Sequence, residues 1–164
     1  MLNEMTLGHL LEEVVAPQRD FERSIIIAPK GDGPEPTCRR NPGIVYGLGN
    51  LVENAVDFSD SEVRVDAVWS AEQVRVAIAD DGPGFSPDVL ARLGDPYVTT
   101  RGTQRPGGGD TRGGLGLGLF IAKTLLERSG ATVSTSNAVA PERGARVIVV
   151  WPRSVFERGR VDPT

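Results

Sequence analysis

Apolar residues recur at helical spacing in three long stretches of the chain. Residues 6–21 predict an amphipathic helix, and its apolar stripe comprises Leu7, Leu10, Leu11, Val14 and Val15. Residues 43–58 predict a second helix, whose core-facing positions are Ile44, Leu48, Leu51, Val52 and Ala55. A third helix is predicted to begin in the glycine-rich stretch at 113 and to end near 129, where Gly130 supplies a C-cap. A shorter helix is predicted at 87–93.

Alternating apolar and polar residues predict strands elsewhere. Residues 62–70 and 73–80 alternate and are separated by two residues, which is typical of an antiparallel hairpin. Two further strands are predicted at 131–137 and 145–151. The apolar run at 24–28 predicts a buried strand, 29–42 a loop, and 153–164 a polar tail. Together these elements predict one domain over 1–164, an α+β two-layer sandwich with a mixed, mostly antiparallel sheet packed against about three helices.

Composition narrows the class of protein. The chain has 164 residues, 39% of them hydrophobic and 24% charged, which suits a globular domain. Its net charge of −4 disfavours a nucleic-acid partner. No apolar run approaches the roughly 20 residues of a membrane span, and no signal peptide is visible. Cys38 is the only cysteine, which excludes an internal disulfide and favours a reducing, cytoplasmic environment.

Polar residues form a second stripe on the helix predicted at 43–58. Asn50, Asn54 and Asp57 stand at i, i+4 and i+7, and Glu53 flanks them. Amide and carboxylate oxygens are ligands that Mg²⁺ accepts, with water and phosphate oxygens filling its other positions. The stripe therefore predicts a metal–phosphate site. The alternative interpretation is an ordinary solvated helix face.

A carboxylate ends the core-facing row of the strand predicted at 73–80. Period-two alternation places Asp80 on the buried side, where it needs a hydrogen-bonding partner. An exocyclic amine of a nucleobase would satisfy it, and Gly82 and Gly84 would let a flat ring approach the backbone. The alternative is a tight turn in which Asp80 only caps backbone amides.

Glycines at alternate positions open the third long helix. First-turn amides have no partner within a helix, and the helix dipole favours an anion there. The stretch GLGLGL at 114–119 therefore predicts a phosphate cradle, although such strings also occur where helices pack closely. It is not a Rossmann fingerprint, because a loop rather than a strand precedes it. It is not a Walker loop either, since no Gly-Lys-Ser/Thr follows.

Three ordered motifs carry a resemblance to a known family. NLVENA (50–55), DDGPG (80–84) and GLGLGL (114–119) resemble the N, G1 and G2 boxes of the histidine-kinase ATP-binding domain. This resemblance covers about 7–152 and implies the Bergerat fold shared with type II topoisomerases. RRNPGIVYGLGNLVENAVDFS and GGLGLGLFIAKTLLERSGA are more narrowly similar to the RegB/PrrB-type redox-responsive sensor kinases.

The resemblance implies roles for individual residues. Asn54 would hold the Mg²⁺ that bridges the ATP phosphates, and Asn50 would support the metal or the phosphates. Asp80 would accept a hydrogen bond from the adenine amine, and Gly82 and Gly84 would give the base room.

The phosphate side of the implied site lies further along the chain. Backbone amides near the phosphates would come from Gly114, Leu115, Gly116, Leu117 and Gly118. Residues 95–113 would form a flexible ATP lid, in which Thr100 and Arg101 contact phosphate. Glu53, beside Asn54, is the candidate base.

The chain also departs from the family pattern. Asp57 stands where many members carry lysine, and Gly94 stands where the F-box has its first aromatic residue. His9 is the only histidine and lacks the sequence context of a phosphoacceptor.

The resemblance therefore implies an ATP–Mg²⁺-binding catalytic domain of a two-component sensor histidine kinase. Its partners would be its own dimerisation and phosphoacceptor domain, absent from this chain, and a cognate response regulator. The domain would be cytoplasmic, without direct contact to membrane or nucleic acid. The alternatives are an anti-sigma-factor-type serine kinase and a non-enzymatic, nucleotide-responsive binding module.

Overall fold

The computed structural model describes residues 4–19, 24–94 and 113–158. Its elements in chain order are β1 (Glu4–Thr6), α1 (Leu7–Val15), β2 (Ser24–Gly31), β3 (Thr37–Arg39), α2 (Pro42–Phe58), β4 (Glu62–Trp69), β5 (Gln73–Asp80), α3 (Pro87–Gly94), α4 (Gly113–Arg128), β6 (Thr132–Asn137), β7 (Ala145–Pro152) and α5 (Arg153–Arg158). Nearly all of the predicted lid, with Thr100 and Arg101, lies outside the described residues.

Five strands form the main sheet, in the order β2-β4-β5-β7-β6. The pair β2–β4 is parallel, and the other three pairs are antiparallel. The short strands β1 and β3 pair separately. The prediction of a mixed, mostly antiparallel sheet is therefore confirmed, with β5 in the centre.

The core lies between one face of this sheet and the long helices. Alternate residues of β4, β5 and β7 are buried on that face, among them Val65, Val76 and Val149. The predicted apolar stripes of α1 and α2 are buried against them. Burial on one face only defines two layers, so the predicted α+β sandwich is confirmed.

Side-chain caps fix where the first two helices begin. Asn41 Oδ1 accepts hydrogen bonds from the amides of Gly43 (2.8 Å) and Ile44 (3.3 Å) at the start of α2. Thr6 Oγ1 accepts from the amide of His9 (3.1 Å) at the start of α1. The α-helix α1 stops at Val15, and a 3₁₀ turn follows over Ala16–Gln18. The helix predicted to reach 21 is thus too long.

The strand predicted at 24–28 is confirmed and begins at Ser24, but it is longer than predicted and only partly buried. β2 continues to Gly31, and Ile26 is 36% exposed because it lies on the sheet face opposite the helices, whereas Ile25 is buried. The extension is held by β4, because Gly31 pairs with Trp69. The Trp69 indole lies against Gly31, where an added Cβ would come within 1.6 Å of Cε2. The region predicted as a loop at 29–42 therefore contains the end of β2 and all of β3.

The polar tail predicted at 153–164 is also wrong over its first six residues. These form α5, in which Phe156 is 1% exposed and its ring packs at a tilt of 60° against that of Trp151, with 5.1 Å between the ring centroids. The Arg153 guanidinium donates to the carbonyls of Ser70 (2.9 Å) and Pro34 (2.8 Å). One buried aromatic ring and one bridging arginine hold this helix on the core.

Candidate functional site

Helices α2 and α4 run antiparallel and in close contact. Gly43 of α2 approaches the carbonyl oxygen of Leu125, and Gly47 approaches that of Ala122. A forward step along α2 is thus a backward step along α4. A Cβ at Gly47 would lie only 2.8 Å from Leu126 Cγ, so glycine is needed for this packing. The later turns of α2 consequently lie toward the N-terminal end of α4.

The two asparagines predicted to bind metal and phosphate lie on those later turns. Asn50 and Asn54 stand three and seven residues after Gly47, so they continue the stripe that faces α4. Both are half-buried, whereas Glu53 and Asp57 are exposed. The packing of the two helices therefore brings two amide side chains toward the glycine-rich start of α4.

Asp80 ends the buried row of the central strand, as the alternation predicted. Its side chain lies on the helix-covered face of the sheet and the residue is 8% exposed. Burial raises the pKa of Asp80, and hydrogen bonds from the amides of Gly82 (2.8 Å) and Ala145 (3.2 Å) oppose that rise. Both bonds end on Oδ1. The capping alternative is thus present in the structure, and it orients the carboxylate without using Oδ2.

Three glycines allow the backbone to close around Asp80. An added Cβ would lie 1.9 Å from the Phe58 carbonyl oxygen at Gly82 and 1.8 Å from the Asp80 carbonyl oxygen at Gly144. At Gly84, which has φ +88°, it would lie 2.9 Å from Asn137 Oδ1. Packing against the backbone thus requires glycine at positions 82 and 144, and the positive φ favours it at position 84. The role of Gly82 and Gly84 beside a base stays a prediction.

Asp81 ties this loop to the segment after α2. Its Oδ1 accepts hydrogen bonds from the amides of Asp60 (2.8 Å), Ser61 (3.0 Å) and Glu62 (3.2 Å), and Oδ2 accepts from the Ser61 hydroxyl (2.6 Å). Partial burial raises the pKa of Asp81, but these hydrogen bonds outweigh it and hold that pKa well below its usual range.

Two further side chains clamp the same loop from β6 and from the segment before β7. Asn137 accepts from the Phe85 amide (2.7 Å) and donates to the Phe85 carbonyl (2.8 Å). Arg143 Nε donates to the Gly82 carbonyl (3.0 Å), and its guanidinium pairs with Asp60 at 3.3 Å. Sequence reasoning missed both residues, since they are 52 and 61 positions away from their partners. Gly144, directly before β7, is the one local signal of close backbone packing in this segment.

The glycine-rich start of α4 is helical from Gly113. Amides without an intrahelical partner belong to the first turn, which includes Gly114, Leu115 and Gly116. Gly118 lies beyond that turn, and a Cβ added there meets nothing within 4 Å among the described residues. Leu117 is exposed beside it. Helix packing within the described part of the chain thus does not explain Gly118, unlike Gly47.

The family is shown by comparison with known proteins. The model of the histidine kinase-, DNA gyrase B- and HSP90-like ATPases matches residues 41–155, and the chain belongs to this family. The matched range contains all three motifs on which the resemblance rests. Within the described ranges, no helix is long and apolar enough to cross a membrane.

Sensor histidine kinases are the similar proteins. RegB of Cereibacter sphaeroides is 40% identical over 92% of this chain, and the chain spans 36% of that relative's length. The solved catalytic domain of histidine kinase ThkA covers 92% of this chain at TM-score 0.67 and 23% identity, over 96% of its own length. Full-length ShkA, solved in complex with AMPPNP, covers 96% of this chain at TM-score 0.62 and 26% identity, over 32% of its own length. These relatives favour a histidine kinase domain over the two alternatives.

Proposed function

We propose that this chain binds ATP–Mg²⁺ as the catalytic domain of a two-component sensor histidine kinase. The proposal rests chiefly on one juxtaposition: Asn50 and Asn54 lie along the side of α2 that leads to the glycine-rich start of α4. Side-chain amides beside helix amides are groups that bind phosphate and its counter-ion.

The adenine end of the proposed site is Asp80. Its carboxylate is held by two backbone amides on Oδ1, so Oδ2 is available to accept a hydrogen bond from an exocyclic amine. The bound AMPPNP of the similar ShkA structure supports an adenine nucleotide as the ligand. Gly82 and Gly84 would lie beside the base.

The phosphate end would be held by α2 and α4. No group of three or more His, Cys, Asp or Glu side chains able to hold a metal occurs in residues 4–19, 24–94 and 113–158. A magnesium ion at Asn54 would therefore depend on nucleotide oxygens, which fits its preference for few protein ligands and several waters. When bound, Mg²⁺ would supply charge neutralisation of the phosphates. Residues 114–118, with Thr100 and Arg101, would contact phosphate oxygens.

The nucleophile would come from a separate dimerisation domain whose histidine accepts the γ-phosphoryl group. Glu53 is the proposed base, and Asn50 the proposed phosphate-positioning residue. Glu53 is exposed on α2, one residue before Asn54, where an incoming domain can reach it. His9 lies on α1, at the N-terminal end of the described chain, and we do not propose it as acceptor. A response regulator would then receive the phosphoryl group, and the ATP requirement places this domain in the cytoplasm.

Asp80→Asn tests the adenine assignment. In this variant the side-chain NH₂ of asparagine would face the exocyclic amine of adenine, so two donors would meet and the hydrogen bond could not form. A buried hydrogen bond that is not made costs about 1–3 kcal/mol, so we expect nucleotide affinity to fall about 100-fold. Calorimetric titration of ATP with and without Mg²⁺ measures this. Asp66→Asn, on the other face of the sheet, is the matched control. Equal ATP affinity of the Asp80→Asn variant and the wild type would refute the assignment.

Phosphoryl transfer needs its own assay, since this chain spans about a third of the RegB relatives. The chain is mixed with γ-labelled ATP and a separately supplied RegB-type dimerisation domain. Acid-labile, base-stable phosphate on that domain supports the histidine kinase. ATP binding without such transfer would favour the non-enzymatic module.

A further inference from the structure

The sheet has a second face, opposite the long helices. Because side chains alternate along a strand, the residues between the buried positions point to this side. On the three adjacent strands β4, β5 and β7 they are Arg64, Asp66, Val68, Arg75, Ala77, Ala79, Arg146, Ile148 and Val150. The neighbouring edge strand β2 adds Ile26, Ala28 and Lys30. We call these residues the open face.

A shallow depression of about 430 Å³ lies in the open face. Small side chains, Ala28 and Ala77, form part of its floor, and four cations surround it: Lys30, Arg64, Arg75 and Arg146. Arg64 and Arg146 both stand opposite Ala79, one on each flanking strand. Their backbones are thus about 10 Å apart, two strand spacings, so their long side chains can converge above the alanines.

The charge of the open face opposes that of the whole chain. It carries these four cations against one acid, Asp66, and Glu62 adds a second acid on the same side of β4, two residues before Arg64; the whole chain has a net charge of −4. Asp66 accepts a hydrogen bond from Arg64 Nε at 3.0 Å. No ion pair joins Lys30, Arg75 or Arg146 to another residue of the described ranges. Three cations are therefore available to an external anion.

Apolar side chains share this surface with the cations. Val68 lines the depression and is 41% exposed, and Ile26 is exposed on the neighbouring edge strand. Arginine mixed with partly exposed apolar side chains is typical of protein–protein interfaces. A lipid headgroup or a free phosphate would leave the apolar part uncovered.

We propose that the open face is a docking surface for an acidic segment of a partner protein, with carboxylates over Lys30, Arg75 and Arg146 and apolar side chains over Val68. The positive charge of the face selects a segment of opposite sign. A second copy of this chain, docked through the same face, would oppose arginine to arginine. The acidic segment is therefore assigned to a partner protein and not to a second copy docked through the same face.

This docking surface is separate from the proposed nucleotide site. Asp80 points to the helix-covered face of β5, and Arg75 points to the other. Binding of the acidic segment therefore goes beyond the kinase proposal and does not rest on it.

Fluorescence anisotropy with a defined probe tests the proposal on the 164-residue chain. The probe is a labelled peptide of six glutamates and two valines, and its matched control has lysine at each glutamate. We expect micromolar binding of the glutamate peptide that weakens with salt. Lys30→Glu with Arg146→Glu should weaken it at least tenfold. Arg39→Glu with Arg128→Glu changes the net charge equally, away from the open face, and should change the affinity less than twofold.

Folding and specificity controls complete the experiment. Circular dichroism verifies the folded state, and Lys30→Gln with Arg146→Gln replaces the charge-reversal pair if that pair unfolds. Dissociation constants above 1 mM for the wild type would overturn the proposal. Equal weakening by the two charge-reversed pairs would show that only net charge matters and would also overturn it. Tighter binding to vesicles with 30% phosphatidylserine, or to single-stranded DNA, would assign the surface to another class of partner.

Discussion

The Asp81 carboxylate is expected to hold the site loop in place, and Asp81→Asn tests this. The carboxylate accepts four hydrogen bonds from residues 60–62. A hydrogen bond to a charged group contributes about 1.5–3 kcal/mol, and a neutral one about 1 kcal/mol. Asparagine keeps an acceptor for the amides but loses the charge, and its amide group replaces the acceptor for the Ser61 hydroxyl. We expect the free energy of unfolding at pH 7 to fall by about 2 kcal/mol.

The lowered pKa of Asp81 predicts how the stability difference between wild type and variant changes with pH. The pKa of Asp81 is lowered by folding, so the stability it contributes is present above its unfolded pKa of about 3.9. That contribution is lost as the pH falls below this value, toward the folded pKa. The difference between wild type and Asp81→Asn should therefore be constant from pH 7 to pH 5 and should narrow below pH 4.

Urea denaturation followed by tryptophan fluorescence measures both quantities. Asp32→Asn, at an exposed position directly after β2, is the control for removing one carboxylate. ATP titration of the same variants reports whether the loop also matters for the nucleotide. A stability difference that stays the same from pH 7 to pH 3 would refute the role of the charge. An Asp81→Asn variant as stable as wild type at pH 7 would refute the anchoring itself.

Two further predictions concern buried side chains. Phe156→Ala should lower the free energy of unfolding by about 3–5 kcal/mol, because its ring is buried against Trp151. The control Ser154→Ala, at an exposed position of α5, should change it by less than about 0.5 kcal/mol. Equal effects of the two variants in urea denaturation would contradict a core role for α5. Cys38 is 1% exposed, and burial raises the pKa of its thiol to about 11. Because the thiolate is the reactive form, Cys38 should react with Ellman's reagent at pH 8 at least about 100-fold more slowly in the native chain than in urea. Equal rates in the native chain and in urea would contradict the burial of this thiol.

Local patterns predicted those parts of the fold that depend on local geometry. The stripe of α2 and the burial of Asp80 follow from periods of 3.6 and 2 residues, and both are confirmed. The extension of β2 was not predicted, because its last residues are held by pairing with β4 and carry no strand pattern of their own. Helix α5 was not predicted, because six residues are too few to show a helical period.

The same limit explains which residues of the candidate site the sequence could indicate. Asn54, Asp80 and the glycines each carry a local signal, a stripe, a strand end or an unusual helix start. Arg143 and Asn137 carry none, because each acts on backbone atoms more than 50 residues away. Such contacts depend on how β6 and β7 pair in the sheet, which no short window of the sequence reports.

The adjacent aspartates of the loop show how one residue of register separates two kinds of role. Asp80 points to the helix-covered face, where burial raises its pKa and two amides orient it. Asp81 comes next, and the amides and hydroxyl of residues 60–62 lower its pKa and fix the loop to the end of α2. A carboxylate that accepts a hydrogen bond from a ligand amine must be fixed in orientation while one of its oxygen atoms stays available as an acceptor. The neighbouring carboxylate supplies that rigidity, so we expect Asp81 variants to weaken ATP binding through Asp80 instead of through any contact of their own.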